Sequence, residues 1–336
     1  MIDNQEDNTP TERASASNGF VWKALSKLIM LAGVAWVIFI FAREFSNLRD
    51  DFKIQSSFWL GYTVLAGVIA LLLTVPIFRS LLRFYSGRPI TYVYAGRLFF
   101  VAQLLRHLPG RFFGVVYLIK ETNSQIPAVA MIRANLDVMF YSMTFNLLVA
   151  GMLILMELVS GSIAFVFAVG SLLVMIVAIK QDWIGIIIRR AIRLVPTRAE
   201  KYAKALTPHE PLPWRNAMMI AVFFVLIWAL YLSIWAALPI IFHGLADVNI
   251  WLLCATYAAA WVLGYIAMIT PGGLGVREAG FIAMSAKLTT LPNLTFLAVF
   301  LRLWQISIEF ILFLAFVFVK PDTGPDNMTT ADKMAQ

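Results

Sequence analysis

Charged residues and cysteine are scarce in this chain of 336 residues. Lys, Arg, Asp and Glu together make up 14% of the sequence, and Cys254 is its single cysteine. A single cysteine excludes an intrachain disulfide, and the three histidines are too scattered in sequence to suggest a metal site. P-loop, zinc-protease and serine-hydrolase motifs are also absent from the sequence. We therefore predict no catalytic residues, no metal and no cofactor, and an acid–base site built on Glu278 or Glu309 is the enzymatic alternative.

Apolar residues dominate the composition. They make up 60% of the sequence, and the mean hydropathy is +0.79, well outside the balance of soluble domains. The apolar runs are too long and uniform for barrel strands, so they predict an all-α, polytopic membrane protein. The net charge of +8 is also compatible with nucleic-acid binding. In a membrane protein we attribute it to cytoplasmic loops rich in Lys and Arg, and we expect no nucleic-acid partner.

Hydropathy divides the chain into two polar tails and one transmembrane domain. Residues 1–19, which we expect to be disordered, and residues 320–336 flank a single domain over residues 20–319. Seven apolar runs in that domain are long enough to cross a bilayer, and an extra crossing near Phe281 would make eight. We predict crossings over residues 20–42, 58–78, 129–158, 162–179, 217–242, 250–269 and 294–319.

Lys and Arg are distributed unevenly between the loops. Residues 180–215 contain eight of them, whereas residues 243–249 contain none. Positively charged loops stay on the cytoplasmic side of a membrane, so we expect the basic loop and the amino terminus there. The chain would then be a multi-pass protein of the plasma or inner membrane. The side of the carboxyl terminus depends on whether the chain crosses seven or eight times.

Two segments interrupt the apolar pattern with proline and glycine. Residues 108–115 read Leu-Pro-Gly-Arg-Phe-Phe-Gly-Val, and residues 270–278 read Thr-Pro-Gly-Gly-Leu-Gly-Val-Arg-Glu. Such backbone cannot stay regularly helical, and at membrane depth it is tolerated only inside protein or beside a water-filled cavity. Paired interruptions of this kind point to the substrate site in transporters. We therefore predict two broken or re-entrant segments; the alternative is a turn at the membrane interface, with Arg277 and Glu278 among the headgroups.

Several charged residues fall within the predicted crossings. Arg133 and Asp137 are four positions apart, so they share a helix face and we predict a structural ion pair. Arg302, Gln305 and Glu309 recur at spacings of three and four on one side of the last crossing. A charge at mid-membrane is unfavourable, so such residues usually face a protein interior or a watery cavity. Because a guanidinium suits phosphate and carboxylate, we favour a ligand-binding role for Arg277 and Arg302; the alternative is a structural ion pair that joins helices.

The second broken segment resembles a known family signature. Residues 271–278, Pro-Gly-Gly-Leu-Gly-Val-Arg-Glu, are similar to the signature of the lysylphosphatidylglycerol synthase transmembrane region, also called the flippase-like domain. Residues 108–114 are similar to the first Pro-Gly segment of that family, and the layout matches over about residues 21–319. The resemblance implies movement of a lipid between leaflets. A short polar tail stands where the synthase domain would follow, so we expect a stand-alone member that moves a lipid or lipid-linked cell-envelope precursor.

The charges and the resemblance together predict an integral membrane lipid translocase. Its partners would be membrane lipids, either anionic phospholipid or polyprenyl-phosphate-linked cargo. Broken helices would offer backbone N–H groups to the phosphate, arginines would offset its charge, and Glu278 would hold Arg277 or take a proton. The alternative is a non-transporting subunit that recruits a lipid- or glycan-modifying enzyme through the basic loop. The predicted substrate-binding residues are Arg111, Pro271, Gly272, Gly273, Gly275, Arg277, Glu278, Arg302 and Glu309.

Overall fold

The described part of the chain is helical. A computed structural model describes residues 54–105, 126–159, 161–180, 211–266 and 275–319, together with residues 185, 186 and 190. All of them lie in the second of the two units into which the chain divides, Leu48–Gln336. Within these residues the only β-type pairing is an isolated antiparallel bridge between Ile54 and Phe242. The predicted all-α class is confirmed for this part of the chain, and the predicted crossing over residues 20–42 lies outside it.

Nine α-helices are formed by the residues that the structure describes. In chain order they are α1 (Ser57–Leu72), α2 (Thr74–Ser86), α3 (Tyr92–Leu105), α4 (Ala128–Leu158), α5 (Gly161–Lys180), α6 (Trp214–Ile241), α7 (Ile250–Ile266), α8 (Val276–Ser285) and α9 (Leu291–Phe318). A short 3-10 helix, His243–Leu245, follows α6.

Four of these stretches are long and apolar enough to cross a membrane. They are α1 and α2 taken together, with 30 residues, and α4, α6 and α9, with 31, 28 and 28 residues. Helices α3 and α7 are apolar but shorter, with 14 and 17 residues. These helices support a membrane-embedded helical protein. The total of seven to eight crossings stays a prediction, because four are found among the described residues.

Polar and apolar side chains are arranged inside out relative to a soluble protein. Large hydrophobic side chains are exposed along α5 and α6, among them Leu173, Val174 and Val222. Such a surface suits lipid, in which exposed apolar groups lose nothing. Some charged side chains are buried between the helices, whereas others, such as Arg88 and Lys287, are exposed. Those buried in the described residues are Arg133, Asp137, Arg277, Arg302 and Glu309.

A proline shapes the junction between α1 and α2. Pro76 lies in the first turn of α2, where it has no N–H to donate to the carbonyl of Leu72, four residues earlier. The Tyr92 hydroxyl donates a hydrogen bond to that carbonyl at 3.0 Å, and Thr74 Oγ1 donates to the Leu71 carbonyl at 2.6 Å. The carbonyls at the junction are therefore satisfied, and α3 is tied to the junction by its first residue.

The helix continues beyond the predicted boundary at Phe78. α2 ends at Ser86, and Gly87 caps it in a left-handed conformation with a φ of 63°. One face of the extension is buried, including Leu81 and Leu82, and α2 packs extensively against α4. The helix extends beyond the predicted apolar run because an amphipathic stretch that carries arginines on one side stays helical when its other side is buried.

Helix packing brings α8 and α9 together with α7. The most extensive contacts are those of α7 with α4 and α8 and of α1 with α6, followed by α3 with α9 and α2 with α4. Helix α8 also packs against α9. α8 carries Arg277 and Glu278, and α9 carries Arg302 and Glu309, so this packing places these four predicted site residues near α7, which packs against α4.

Candidate functional site

A cavity of about 360 Å³ lies among the helices that carry the buried charges. Its volume is at the lower end of the range of about 300–1,000 Å³ that is typical of small-molecule sites. Side chains of α3, α4, α6, α7, α8 and α9 line it, with two residues from the junction of α1 and α2. Most of the lining is apolar or aromatic. The charged side chains in it are Arg277, Arg302 and Glu309, and the amides are Gln103, Asn135, Asn146 and Gln305.

Helix α9 aligns one row of polar residues along the cavity. Arg302, Gln305 and Glu309 are spaced by three and four positions, so they lie on one side of the helix. Their exposed fractions are 6%, 7% and 2%, and all three line the cavity. The predicted common face of these residues is therefore confirmed, and it points inward.

Helix α8 begins at the end of the glycine motif and positions Arg277. Gly275 precedes the helix with a φ of 82°, a left-handed conformation that side chains disfavour. Its N–H donates to Glu278 Oε2 at 2.8 Å, one half of a capping box. Gly264 of α7 allows close approach, because a Cβ there would lie 3.1 Å from the Cβ of Arg277. These two glycines fix where the Arg277 side chain enters the cavity.

A chain of hydrogen bonds connects α8 to α9. Arg277 Nη1 donates to Gln305 Oε1 at 3.0 Å, and Gln305 Nε2 donates to Glu309 Oε1 at 2.8 Å. The guanidinium carbon of Arg277 also lies 4.5 Å from the ring centroid of Tyr257 and 5.7 Å from that of Trp261. The amide of Gln305 therefore bridges a cation and a carboxylate, and ring faces on α7 stabilise the cation.

A second contact between α8 and α9 joins Glu278 to Arg302. Arg302 Nη1 lies 3.5 Å from Glu278 Oε1, and the exposed fractions of the two side chains are 7% and 21%. The distance is long for a charge-assisted hydrogen bond. Among the described residues Glu278 does not line the cavity, but it touches a residue that does. This inter-helix pair was not foreseen from the sequence, because its partners are distant in the chain.

The other predicted site residues are divided by where they fall. Gly275 is placed directly before α8. Arg111, Pro271, Gly272 and Gly273 lie outside the described residues. The same holds for the whole of the first broken segment and for most of the second, so the two interruptions stay predictions.

An aromatic wall on α6 and α7 was missed in the sequence. It comprises Trp228, Tyr231 and Trp235 on α6 and Tyr257, Trp261 and Tyr265 on α7, and all six line the cavity. The centroids of Trp235 and Tyr257 are 5.5 Å apart, so the two sets of rings meet. Spacings of three and four along each helix were the available signal, because they place the rings on one helix face.

A separate group of buried charges lies outside this cavity lining. Arg133 Nη2 is 3.1 Å from Asp137 Oδ1 on α4, which confirms the predicted contact between these two side chains. The Tyr85 hydroxyl of α2 donates a hydrogen bond to Asp137, and the guanidinium carbon of Arg133 lies 5.5 Å from the Tyr85 ring centroid. Both charged residues are almost fully buried. This arrangement joins α2 to α4.

Neither metal chemistry nor similarity to known proteins assigns the site. Within the described part of the chain, no three or more His, Cys, Asp or Glu side chains are grouped to hold a metal ion. No protein-family model, curated protein or solved structure matches the chain.

Proposed function

We propose that the protein is an integral membrane lipid translocase. It would move an anionic phospholipid or a lipid-linked cell-envelope precursor between leaflets. The observation that carries the proposal is the burial of Arg277 and Arg302 in the lining of a cavity among apolar helices. The earlier motif resemblance supports the same class of function.

The energetics of buried arginine favour a ligand role. A charge within a membrane protein is unfavourable unless it has partners, and such residues generally mark pathways or ligand sites. Arg277 is held by an amide and by ring faces, and guanidinium groups bind phosphate oxygens with paired hydrogen bonds. In a site that excludes bulk water, this attraction is stronger than it would be at an exposed surface.

The shape of the lining suits an amphipathic molecule. The charged groups come from α8 and α9, whereas α6 contributes aromatic and aliphatic side chains. A headgroup bound there would have its phosphate at the arginines while the acyl or prenyl tails stay in lipid. No nucleotide-binding motif is found in the sequence, so we propose transport driven by the cargo gradient, an ion gradient or removal of the cargo.

Leaflet exposure in liposomes tests the proposal. The purified protein is reconstituted with labelled anionic phospholipid or labelled polyprenyl phosphate, and transfer to the outer leaflet is timed. We expect the protein to accelerate transfer of at least one cargo, and Arg277→Ala to slow it by about tenfold or more, because a hydrogen bond to a charged group contributes about 1.5–3 kcal/mol.

A matched arginine provides the control. Arg88 is exposed, so Arg88→Ala makes the same chemical change away from the cavity and should leave transfer unchanged. Each variant is checked for its melting temperature before the assay. No acceleration by folded protein, or equal activity of the Arg277→Ala variant, would contradict the proposal. The subunit that recruits an enzyme through the basic loop would then be the next hypothesis to test.

A further inference from the structure

We infer that the headgroup is a sugar attached to its lipid through phosphate. The inference rests on the proposed function and specifies its cargo. The phosphate would lie at Arg277 and Arg302, and the sugar ring would lie against rings of the aromatic wall that Arg277 does not contact. Three features of the described residues carry this: the aromatic wall, two amides without a hydrogen-bond partner among those residues, and the two guanidinium groups of the lining.

The aromatic wall contributes Trp and Tyr rings to a cavity that also contains amide and charged side chains. Trp261 and Tyr265 meet at a centroid distance of 4.5 Å, and Trp235 meets Tyr257 across the two helices. Pyranose rings present faces of C–H groups, which stack on Trp and Tyr rings. Trp and Tyr also keep a polar tip for hydrogen bonding. An interfacial belt would place such rings at the membrane surface, but these six line a cavity.

Two amides in the lining have no hydrogen-bond partner among the residues that the structure describes. Gln103 of α3 and Asn135 of α4 are half-buried, and no side-chain hydrogen bond of either amide is found among the described residues. Buried polar groups are normally satisfied. Sugar hydroxyls both donate and accept, so they would suit both amides, which also donate and accept.

The charges of the lining favour a phosphosugar over a cationic headgroup. Aromatic cages also bind quaternary ammonium groups. Here Arg277 already contacts the faces of Tyr257 and Trp261, and Arg302 adds a second guanidinium to the lining. A cationic headgroup would be repelled, whereas a phosphate between the sugar and the lipid would be attracted. A volume of about 360 Å³ suits a single phosphosugar better than a long glycan.

Binding measurements on the full-length protein in lipid nanodiscs test the inference. The probes are polyprenyl phosphoglucose, bare polyprenyl phosphate with the same chain, and free glucose 1-phosphate. We expect the phosphoglucose lipid to bind more tightly than bare polyprenyl phosphate. We also expect Asn135→Leu and Gln103→Met, which keep the side-chain volume, to reduce that preference by about three- to tenfold each, the value of a single hydrogen bond.

The controls separate this inference from the function on which it rests. Asn216→Leu changes a half-buried asparagine of α6 that does not line the cavity, and it should leave the preference unchanged. Arg277→Ala should weaken both lipids. Melting temperatures identify any variant that fails to fold. If one amide variant does not fold, the other still tests the inference.

Two results would overturn the inference in different ways. Equal binding of the two lipids, with both weakened by Arg277→Ala, would contradict recognition of the sugar but would agree with the proposed translocase. Binding of free glucose 1-phosphate that depends on Asn135 and Gln103, without binding of either lipid, would contradict both a lipid-linked cargo and the proposed function.

Discussion

Two clusters of buried charges in this molecule have similar composition and different surroundings. Arg133 and Asp137 lie on one helix, and their exposed fractions are 2% and 1%. Tyr85 completes that cluster from α2. Arg277 and Arg302, with their glutamine and glutamate partners, come from two helices and line a cavity.

The difference lies in how each cluster is formed and what it can reach. A pair four positions apart is adjacent as soon as its helix forms, and the first cluster has its partners within reach and no side chain in the cavity lining. The second cluster forms only when α7, α8 and α9 pack together, and it keeps contact with an open volume. We therefore expect substitutions in the first cluster to affect stability and those in the second to affect ligand binding.

The largest effect is expected in the first cluster, from Asp137→Ala. The substitution removes the carboxylate that pairs with the buried guanidinium of Arg133. Breaking a buried pair in this way destabilises a protein by about 3–5 kcal/mol. The free energy of unfolding in detergent measures it. Asp137→Asn is the matched control, because its amide oxygen still accepts from Tyr85, and we expect a smaller loss. A melting temperature unchanged by Asp137→Ala would contradict the structural role of this pair.

An intermediate effect is expected at the close contact beside Arg277. In Gly264→Ala the new Cβ would lie 3.1 Å from the Arg277 Cβ, so the arginine has to shift. Overpacking costs about 1–3 kcal/mol, partly offset by the better helix propensity of alanine. We expect modest destabilisation and a several-fold slower lipid transfer, measured by thermal unfolding and the leaflet assay.

Gly151→Ala is the control for this contact. It makes the same change on α4 at a position where a Cβ meets no atom within 4 Å. We expect no loss of stability and unchanged transfer. If both glycine variants behave alike, the approach of α7 to Arg277 does not position that side chain.

Sequence reasoning succeeded where spacing along one helix decides the outcome. The pair at Arg133 and Asp137 and the row from Arg302 to Glu309 follow from the helical repeat alone. It failed where two distant segments meet: Tyr85 reaches Asp137 across 52 positions, and Arg277 reaches Gln305 across 28. Only packing determines such contacts, since many alternatives satisfy the same local pattern.

The aromatic wall and the end of α2 show two further reasons why some features could not be predicted from the sequence. The wall follows helical spacing, but apolar rings in a membrane helix are equally expected to face lipid, so the pattern does not say which face lines a cavity. The crossing predicted over residues 58–78 ends at Phe78, where the apolar run gives way to arginines. Burial of its opposite face against α4 keeps the chain helical to Ser86, and that burial is a tertiary effect.

The smallest effect is expected from Glu278→Gln, which tests how sharply the two clusters differ. Glutamine at this position still accepts the Gly275 N–H in a capping box, so only the charge next to Arg302 is lost. That ion pair is 3.5 Å long and its glutamate is a fifth exposed, so we expect less than about 1 kcal/mol of destabilisation. Glu278→Ala removes the cap as well and should cost about 1 kcal/mol more. Denaturant unfolding of both variants measures the difference. A loss from Glu278→Gln as large as that from Asp137→Ala would mean that Arg302 depends on this carboxylate for stability, and the second cluster would then be as structural as the first.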